Sequence, residues 1–357
     1  MKYRVLAINP GSTSTKISVY DDMEKVFEQV LKHDPVKLEK FGGIIEQFEF
    51  RKDLVIEALN QNNVEPETLK AVVGRGGLVR TVVGGTYEVN EQMKKDLGDP
   101  KTWGRVHASN LGAYIADSIA KDQSIKAYIV DPVTVDEFDD IARISGIPEI
   151  TRKSLFHALN IRYTGRLLAK KLDTKFSSTN MIAVHMGGGI TIAAIKKGRV
   201  VDVNNALLGM GSFSPQRAGA LPIGDLLDLA YSGNYTKKEL TGYLAKKAGY
   251  IAYLGTDDGI EIEKMIENGD KKAKLIHDAL CYQVAKEIGA YSTVLEGKVD
   301  AIFLTGGLVY GKDTVDEISK RVKSIAPIYT FPGENEMIAL CQGAVRVLKG
   351  LEEPKVY

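Results

Sequence analysis

Cysteine is nearly absent from this chain of 357 residues: only Cys281 and Cys341 occur, each amid apolar sequence of helical spacing. Two such thiols make no disulfide framework and no metal-ligand set, so they read as buried free thiols of a reducing compartment. Net charge is nearly absent too. Lys plus Arg number 47 and Asp plus Glu 46, leaving +1 and no field to gather nucleic acid or an anionic membrane. No apolar run reaches the ~18 residues of a membrane span, and the strand after Lys2 and Arg4 is too short for a signal-peptide core. No low-complexity tract or charged tail interrupts the sequence. These absences predict a soluble, cytoplasmic protein whose partners are small molecules and further copies of itself, with no nucleic acid and no membrane. What is present, 44% hydrophobic and 26% charged residues, is the composition of a globular protein. The length exceeds what one core usually serves, so two domains are expected.

The stretch "VLAINPGSTSTKISVYD" (Val5–Asp21) joins an apolar strand to a β-branched one through small polar residues. Asn9, Ser12, Ser14 and Lys16 offer donors and one ammonium, which suit a phosphate chain. The loop reads as longer than the two to five residues of most hairpins. It is not a Walker loop, because no second glycine precedes the lysine and a strand, not a helix, follows. "NMIAVHMGGGITIAAIKKGRVVDV" (Asn180–Val203) repeats the design: strand, glycine-rich turn, β-branched strand, tight "KKGR" turn, third strand. Two such meanders, each followed by helical periodicity and a later apolar strand, predict a duplicated α/β domain with a mixed sheet: a β-meander continued by βαβ crossovers. The divisions expected are 1–150 plus a returning helix within 335–357, and 151–334, forming two lobes around a nucleotide cleft. "RKSLFHALNIRYTGRLLAKKL" (Arg152–Leu172) reads as the helix bridging the halves. No G-x-G-x-x-G opens a helix at either glycine cluster, so a nicotinamide site is a poor reading.

Asn9, Gly11, Ser12, Ser14 and Lys16 meet an N-x-G-S-x-S-x-K pattern, "HMGGG" (His185–Gly189) a second phosphate segment, and "LTGGL" (Leu304–Leu308) an adenosine-type segment. With "GRGGL" (Gly74–Leu78), "VDPV" (Val130–Val133), "FHALN" (Phe156–Asn160) and "PQRAG" (Pro215–Gly219), this ordered set resembles the acetokinase family, most closely its butyrate kinase branch. The resemblance implies duplicated ribonuclease-H-like (actin-like ATPase) domains. It also implies reversible transfer of phosphoryl from ATP to a short-chain carboxylate with Mg²⁺, and a homo-oligomer of two or more subunits. Butyrate is the favoured acceptor, with isobutyrate, propionate or acetate as alternatives. An actin- or chaperone-like ATPase is the rival from another class; it would need a partner-binding domain for which no sequence is left over.

A carboxylate is already an anion near neutral pH, so its phosphorylation needs cationic screening and alignment rather than a base. By resemblance, Arg217 stabilises the transferring group, His157 and His185 donate to phosphoryl oxygens, and Asp131 orders metal-bound water. Asn9 and Glu334 are implied at Mg²⁺. Arg75 is the candidate for the acyl carboxylate and Arg80 the alternate, because the family's arginine position is held here by Val72. For the nucleotide, Gly187, Gly188 and Gly189 admit phosphates close to the backbone, while Gly306, Gly307 and Asp258 fall on the adenosine side. Ile260 replaces the arginine of the family's purine segment, which opens purine selectivity. His107 reads as a helix cap.

Overall fold

A computed structural model describes residues 2–104 and 106–357, which divide into two compact units. The first comprises Met1–Val135 and Asn335–Tyr357, the second Asp136–Glu334. The division falls earlier than position 150. The Asp139 N–H donates to the Val201 carbonyl, and the buried Glu137 carboxylate accepts from both Arg162 and the Val200 N–H at 2.9 Å, so 136–150 is stitched to the second unit.

In the first unit β1 (Arg4–Pro10), β2 (Ser14–Asp21) and β3 (Glu24–Lys32) form an antiparallel meander. β4 (Ala71–Arg75) and β6 (Lys126–Val130) extend it in parallel beside β1, and β5 (Thr86–Glu88) closes the edge, giving the order β3-β2-β1-β4-β6-β5. Helix Leu111–Asp122 covers one face and helix Glu336–Leu348 the other, which is why β1 and β4 read as unbroken apolar runs. The first of these helices meets β4 backbone to backbone. A Cβ on Gly74 would stand 2.9 Å from the Ala113 nitrogen and one on Gly112 only 2.8 Å from the Arg75 nitrogen, so both positions require glycine.

The second unit repeats the plan. β7 (Asn180–Met186), β8 (Ile190–Lys196) and β9 (Arg199–Val203) form the meander, and β10 (Ala301–Gly306) and β11 (Ile328–Pro332) add in parallel, in the order β11-β10-β7-β8-β9. The repeat extends to a register shift inside both second strands, at Val19/Tyr20 and at Ala194/Ile195. Lys197 and Gly198 both take positive φ, 51° and 76°, the requirement of a two-residue hairpin turn. Helix Lys271–Val294 packs on β7 and β8, and helix Ala158–Lys171 on β7 and β10. Cys281 and Cys341 are buried free thiols, pushed up to about 12 by burial. Among the described residues no helix is long and apolar enough to cross a membrane.

Two local expectations are corrected. The first turn is short: β1 runs to Pro10 and β2 starts at Ser14, closed by a Gly11 N–H bond of 2.7 Å to the Ser14 carbonyl, so Asn9 and Lys16 stand on strands. The bridging helix starts at Ala158, not Arg152. Arg152 instead clasps Asp202 at 2.6 and 3.1 Å and the Ala142 carbonyl at 2.7 Å, which holds the preceding residues out of helical geometry.

Candidate functional site

The first unit gathers one cluster at the β1, β2 and β4 ends. Asn9 and Lys16 are register partners, so their side chains leave the same face of the β1–β2 ladder. The Asn9 Nδ2 donates to Glu336 Oε2 at 2.6 Å, while Arg75 Nη1 donates to Glu336 Oε1. One carboxylate thus ties two strand ends to the first turn of the closing helix. Lys16 Nζ lies 3.0 Å from Glu28 Oε1. Ser12 is exposed at the turn tip and Ser14 half-buried beside it.

Beneath that turn lies Arg51, fully buried. Its Nη1 donates to the carbonyls of Gly11 (2.8 Å) and Ser14 (3.2 Å), its Nη2 to that of Ser12 (3.1 Å), and Gln47 Oε1 accepts from Nε and Nη2. With the carbonyls drawn inward, the outward surface of the turn is left to N–H and hydroxyl groups, which suits an anion. Burial lowers the guanidinium to about 10, and burial together with Arg51 lowers His33 to about 4.

Arg80 and Asp131 are bonded to other partners, although Asp131 follows directly on Val130, the register partner of Arg75. Arg80 makes a fork with Asp96 at 2.7 and 2.9 Å, and the Tyr357 hydroxyl donates to the same carboxylate at 2.9 Å. Asp131 is buried at a φ of +39°, its N–H donating to the Gly85 carbonyl and its Oδ1 accepting the Gly85 N–H at 2.8 Å. A non-glycine residue held there is strained, a feature common at functional strand ends. His107 caps its helix, the ring accepting from the Ser109 N–H.

The second unit holds the second cluster. His185, buried at the end of β7, lies with His157 in a ring pair whose centroids are 4.2 Å apart. His157 Nδ1 is 2.7 Å from the Thr191 hydroxyl, and His185 Nδ1 is 3.3 Å from the Asn160 carboxamide. As oriented, Asn160 Nδ2 is buried without a partner. Turning the amide over lets that N–H donate to His185 Nδ1 and leaves the Thr305 hydroxyl to donate to the Gly333 carbonyl at 3.3 Å. With the amide turned that way the imidazole proton sits on Nε2. That nitrogen and Glu334 Oε1 both face Gly187, each 3.4 Å from where its Cβ would be.

The glycine turn is held by the 214–219 loop. Ser214 Oγ donates to the Gly188 carbonyl at 2.7 Å, and the Gln216 carboxamide stacks 3.1 Å from where a Gly188 Cβ would stand. The half-buried Arg217 guanidinium occupies the space a Gly189 Cβ would need, and its Nη1 donates to the Ala206 carbonyl. Gly249, at a φ of +60°, backs this loop, because any Cβ would overlap the Ser214 carbonyl.

Beside the turn a cavity of about 500 Å³ runs between Gly187 and Leu308, with Pro215, Ile260, Tyr310 and Asp258 in its walls. That volume suits a nucleoside. Gly307 faces open space, and Gly306 and Gly333 exchange backbone bonds of 3.1 and 3.0 Å beneath it. Asp258 Oδ1 caps helix Gly259–Glu267 by accepting the Ile260 N–H at 2.9 Å. Glu263, also in the wall, is raised above the usual carboxylate range by burial and then by Glu267 and Asp313.

Within each unit, then, the residues expected from sequence gather at the strand ends and turns, with Arg80 turned to Asp96 and Asp131 bonded to Gly85. Sequence reasoning missed Glu336, Arg51, Asn160 and Gln216. A helix-starting acid two residues past Glu334 was the only signal for Glu336; "FEFRKDL" carried none for Arg51.

The chain matches the sequence profile described as "Acetokinase family" over residues 146–326. It is 50% identical over 357 residues, all of this chain and all of the other, to Butyrate kinase 2 of Clostridium acetobutylicum. Among solved structures, the acetate kinase of Porphyromonas gingivalis overlays 98% of this chain and 100% of its own with a TM-score of 0.77 at 19% identity. The propionate kinase of Francisella tularensis overlays 96% and 98% with 0.74 at 18%. The resemblance in fold reaches the ROK hexokinase of Thermus thermophilus, at 0.51 and 13% over 98% of this chain and 99% of that one.

Proposed function

The chain belongs to the acetokinase family, and from that premise we propose that it is a butyrate kinase, transferring the γ-phosphoryl group of ATP to butyrate to give butanoyl phosphate and ADP, reversibly. The observation that carries the reading is identity at half of all positions, over the full length of both chains, with a relative so named. The site chemistry agrees with it. A butyrate carboxylate oxygen forms the new P–O bond while the β–γ bridging P–O bond breaks and ADP leaves with the electron pair. No proton moves, so no base is required, and the demand is for cations and donors around the phosphoryl oxygens.

Arg217, held over Gly189, supplies the planar fork for that charge. His185 donates through Nε2, and His157 adds a second imidazole donor. The nucleoside occupies the cavity beside Leu308, with Asp258, Gly306 and Gly307 around it and the phosphates over Gly187, Gly188 and Gly189. In the first unit, Asn9, Ser12, Ser14 and Lys16 form the second anion surface, and Arg75 receives the acyl carboxylate. Arg80 is less suited because its fork is already filled by Asp96. Asp131 orders water from its strained strand end.

Mg²⁺ bound through nucleotide phosphates needs only one or two protein oxygens and retains waters. The residues present fit that demand. Glu334 carries a carboxylate over the glycine turn and Asn9 has a carboxamide oxygen left after its Nδ2 is used. The ion would supply charge neutralisation between the phosphates. We also infer a cytoplasmic enzyme that assembles as a homo-oligomer.

The test is a hydroxamate trap with ATP, Mg²⁺ and straight and branched acids of two to six carbons. Butyrate should give the highest kcat/KM. Each methylene is worth about 0.8 kcal/mol, or roughly fourfold, so acetate should fall about an order of magnitude or more behind. No hydroxamate from any acid would end the reading.

A further inference from the structure

Most polar side chains in the wall of the nucleoside cavity already have partners. Asp257 accepts from the Gln216 carboxamide at 2.6 Å, and Asp258 caps its own helix. Both nitrogens of His277 are occupied, the Tyr250 hydroxyl lying 3.0 Å from Nδ1 and the Cys281 thiol 3.5 Å from Nε2. Of the wall's side chains withdrawn from water, two differ. The half-buried Glu263 carboxylate and the buried Thr314 hydroxyl have no hydrogen-bond or ion-pair partner among the described residues. Polar groups taken out of water and left unpaired are costly, so such a pair in a cavity wall points to a ligand that completes it.

The two converge on one point. A Cβ on Gly311, the residue before helix Lys312–Val322, would overlap Glu263 Oε1 and stand 3.1 Å from Thr314 Oγ1. Glycine there keeps the space between acceptor and hydroxyl open. This wall is the end away from the phosphates, because a further cavity of about 440 Å³ shares Glu263 and His277 with the first and none of the glycine turn. Glu267 and Asp316 line that further cavity with Lys312, while its Asp313 lies 3.7 Å from Lys274. Negative charge is in excess at this end, which favours a hydrogen-bond donor. A purine reaching it shows two adjacent edge atoms. In adenine they are the 6-amino donor and the N1 acceptor; in hypoxanthine and guanine the order is reversed, with O6 accepting and N1–H donating. We propose that Glu263 selects the base of the nucleoside triphosphate, its carboxylate accepting the 6-amino group of adenine while the Thr314 hydroxyl donates to N1. A carboxylate only accepts, so O6 of the other two bases meets like charge in the same seat. Ile260 and Leu308 supply apolar faces that any base could use, which leaves the choice to Glu263. The base selection rests on the nucleotide reading of this cavity given above.

Calorimetric titration of the full chain with Mg²⁺ and nucleoside diphosphates tests this without any turnover. ADP should bind at least about tenfold more tightly than inosine diphosphate, and than the diphosphate of purine riboside, which keeps N1 and lacks the amino group. A factor of about ten or more is what one hydrogen bond to a charged acceptor gives. Glu263→Gln presents an amide that can donate to O6, so its preference for ADP over inosine diphosphate should fall at least about tenfold. ATP and ITP should show the same shift in kcat/KM in the hydroxamate assay. Equal binding of the three diphosphates by the wild type overturns the proposal, as does tighter binding of inosine or guanosine diphosphate, or no binding at all. So does a folded Glu263→Gln variant that keeps the wild-type ratio. Should that variant not fold, the purine riboside comparison on the wild type still decides. A chain that prefers ADP but makes no hydroxamate from any acid sinks the kinase reading and leaves the base selection standing. One that phosphorylates butyrate equally well from ATP and ITP does the reverse.

Discussion

The two meander turns share a topology and differ in how their arginines are held. Under the first, Arg51 is fully buried, and every guanidinium nitrogen is committed to neutral oxygens of the turn or of Gln47. Over the second, Arg217 is half-buried, leans on Gly189 and donates to the Ala206 carbonyl. A buried guanidinium with filled donors shapes the backbone; under the proposed function, the half-buried one on the glycine turn meets charge that appears during transfer. The two duplicated turns thus each carry an arginine, and the two are held in different ways.

Arg217→Ala should separate the two roles most sharply, lowering kcat by about 10²–10³ or more, the range for removing one oxyanion donor, while thermal midpoint and ATP affinity stay close to wild type. Unchanged turnover would remove Arg217 from the chemistry. Arg51→Met should do the reverse. Loss of a buried hydrogen-bonded cation costs about 3–5 kcal/mol, so denaturant unfolding should show a large drop in stability before any specific effect on turnover; a neutral variant would mean the turn holds itself.

Glu336→Gln keeps shape and loses charge at the junction of Asn9 and Arg75. Stability should fall by about 1–2 kcal/mol and the KM for butyrate should rise severalfold with kcat little changed; an unaltered KM would detach Arg75 from the acyl group. His33 offers a gentler probe of the first turn. Unfolded, its imidazole takes a proton near pH 6.5, but folded, only near 4. Between those values the unfolded state binds the extra proton, so stability falls as pH drops through that window. In His33→Gln this part of the slope should vanish, visible in urea midpoints at pH 7 and 4.5. Arg80→Ala should be smallest, a few tenths to about 1 kcal/mol of stability with no change in acyl KM; a large KM rise would restore Arg80 as the carboxylate ligand.

Strand alternation and the second glycine turn made the duplicated sheets legible from residue order, because β-branched runs and "KKGR" state their own geometry. The hairpin length was misjudged because polar residues such as Asn9 and Lys16 look like loop in one dimension and stand on a strand in three. Glu334 and Glu336 precede or begin the same helix, and only tertiary contact tells that Asn9 meets the second. Arg51 was invisible for the opposite reason: a buried arginine in a helix of ordinary composition carries no periodic mark. Asp131 and Arg80 show local bonding that sequence cannot express, one a mutual pair with Gly85, the other a fork closed by Asp96.

The closing helix Glu336–Leu348 covers β1, β4 and β6, yet the 199 residues of Asp136–Glu334 are translated before it. At ~5–20 residues per second, a ribosome exposes one bare sheet face of the N-terminal unit for roughly 10–40 s. During synthesis the later-made unit has all its parts first, and the N-terminus of the protein is the last to finish folding.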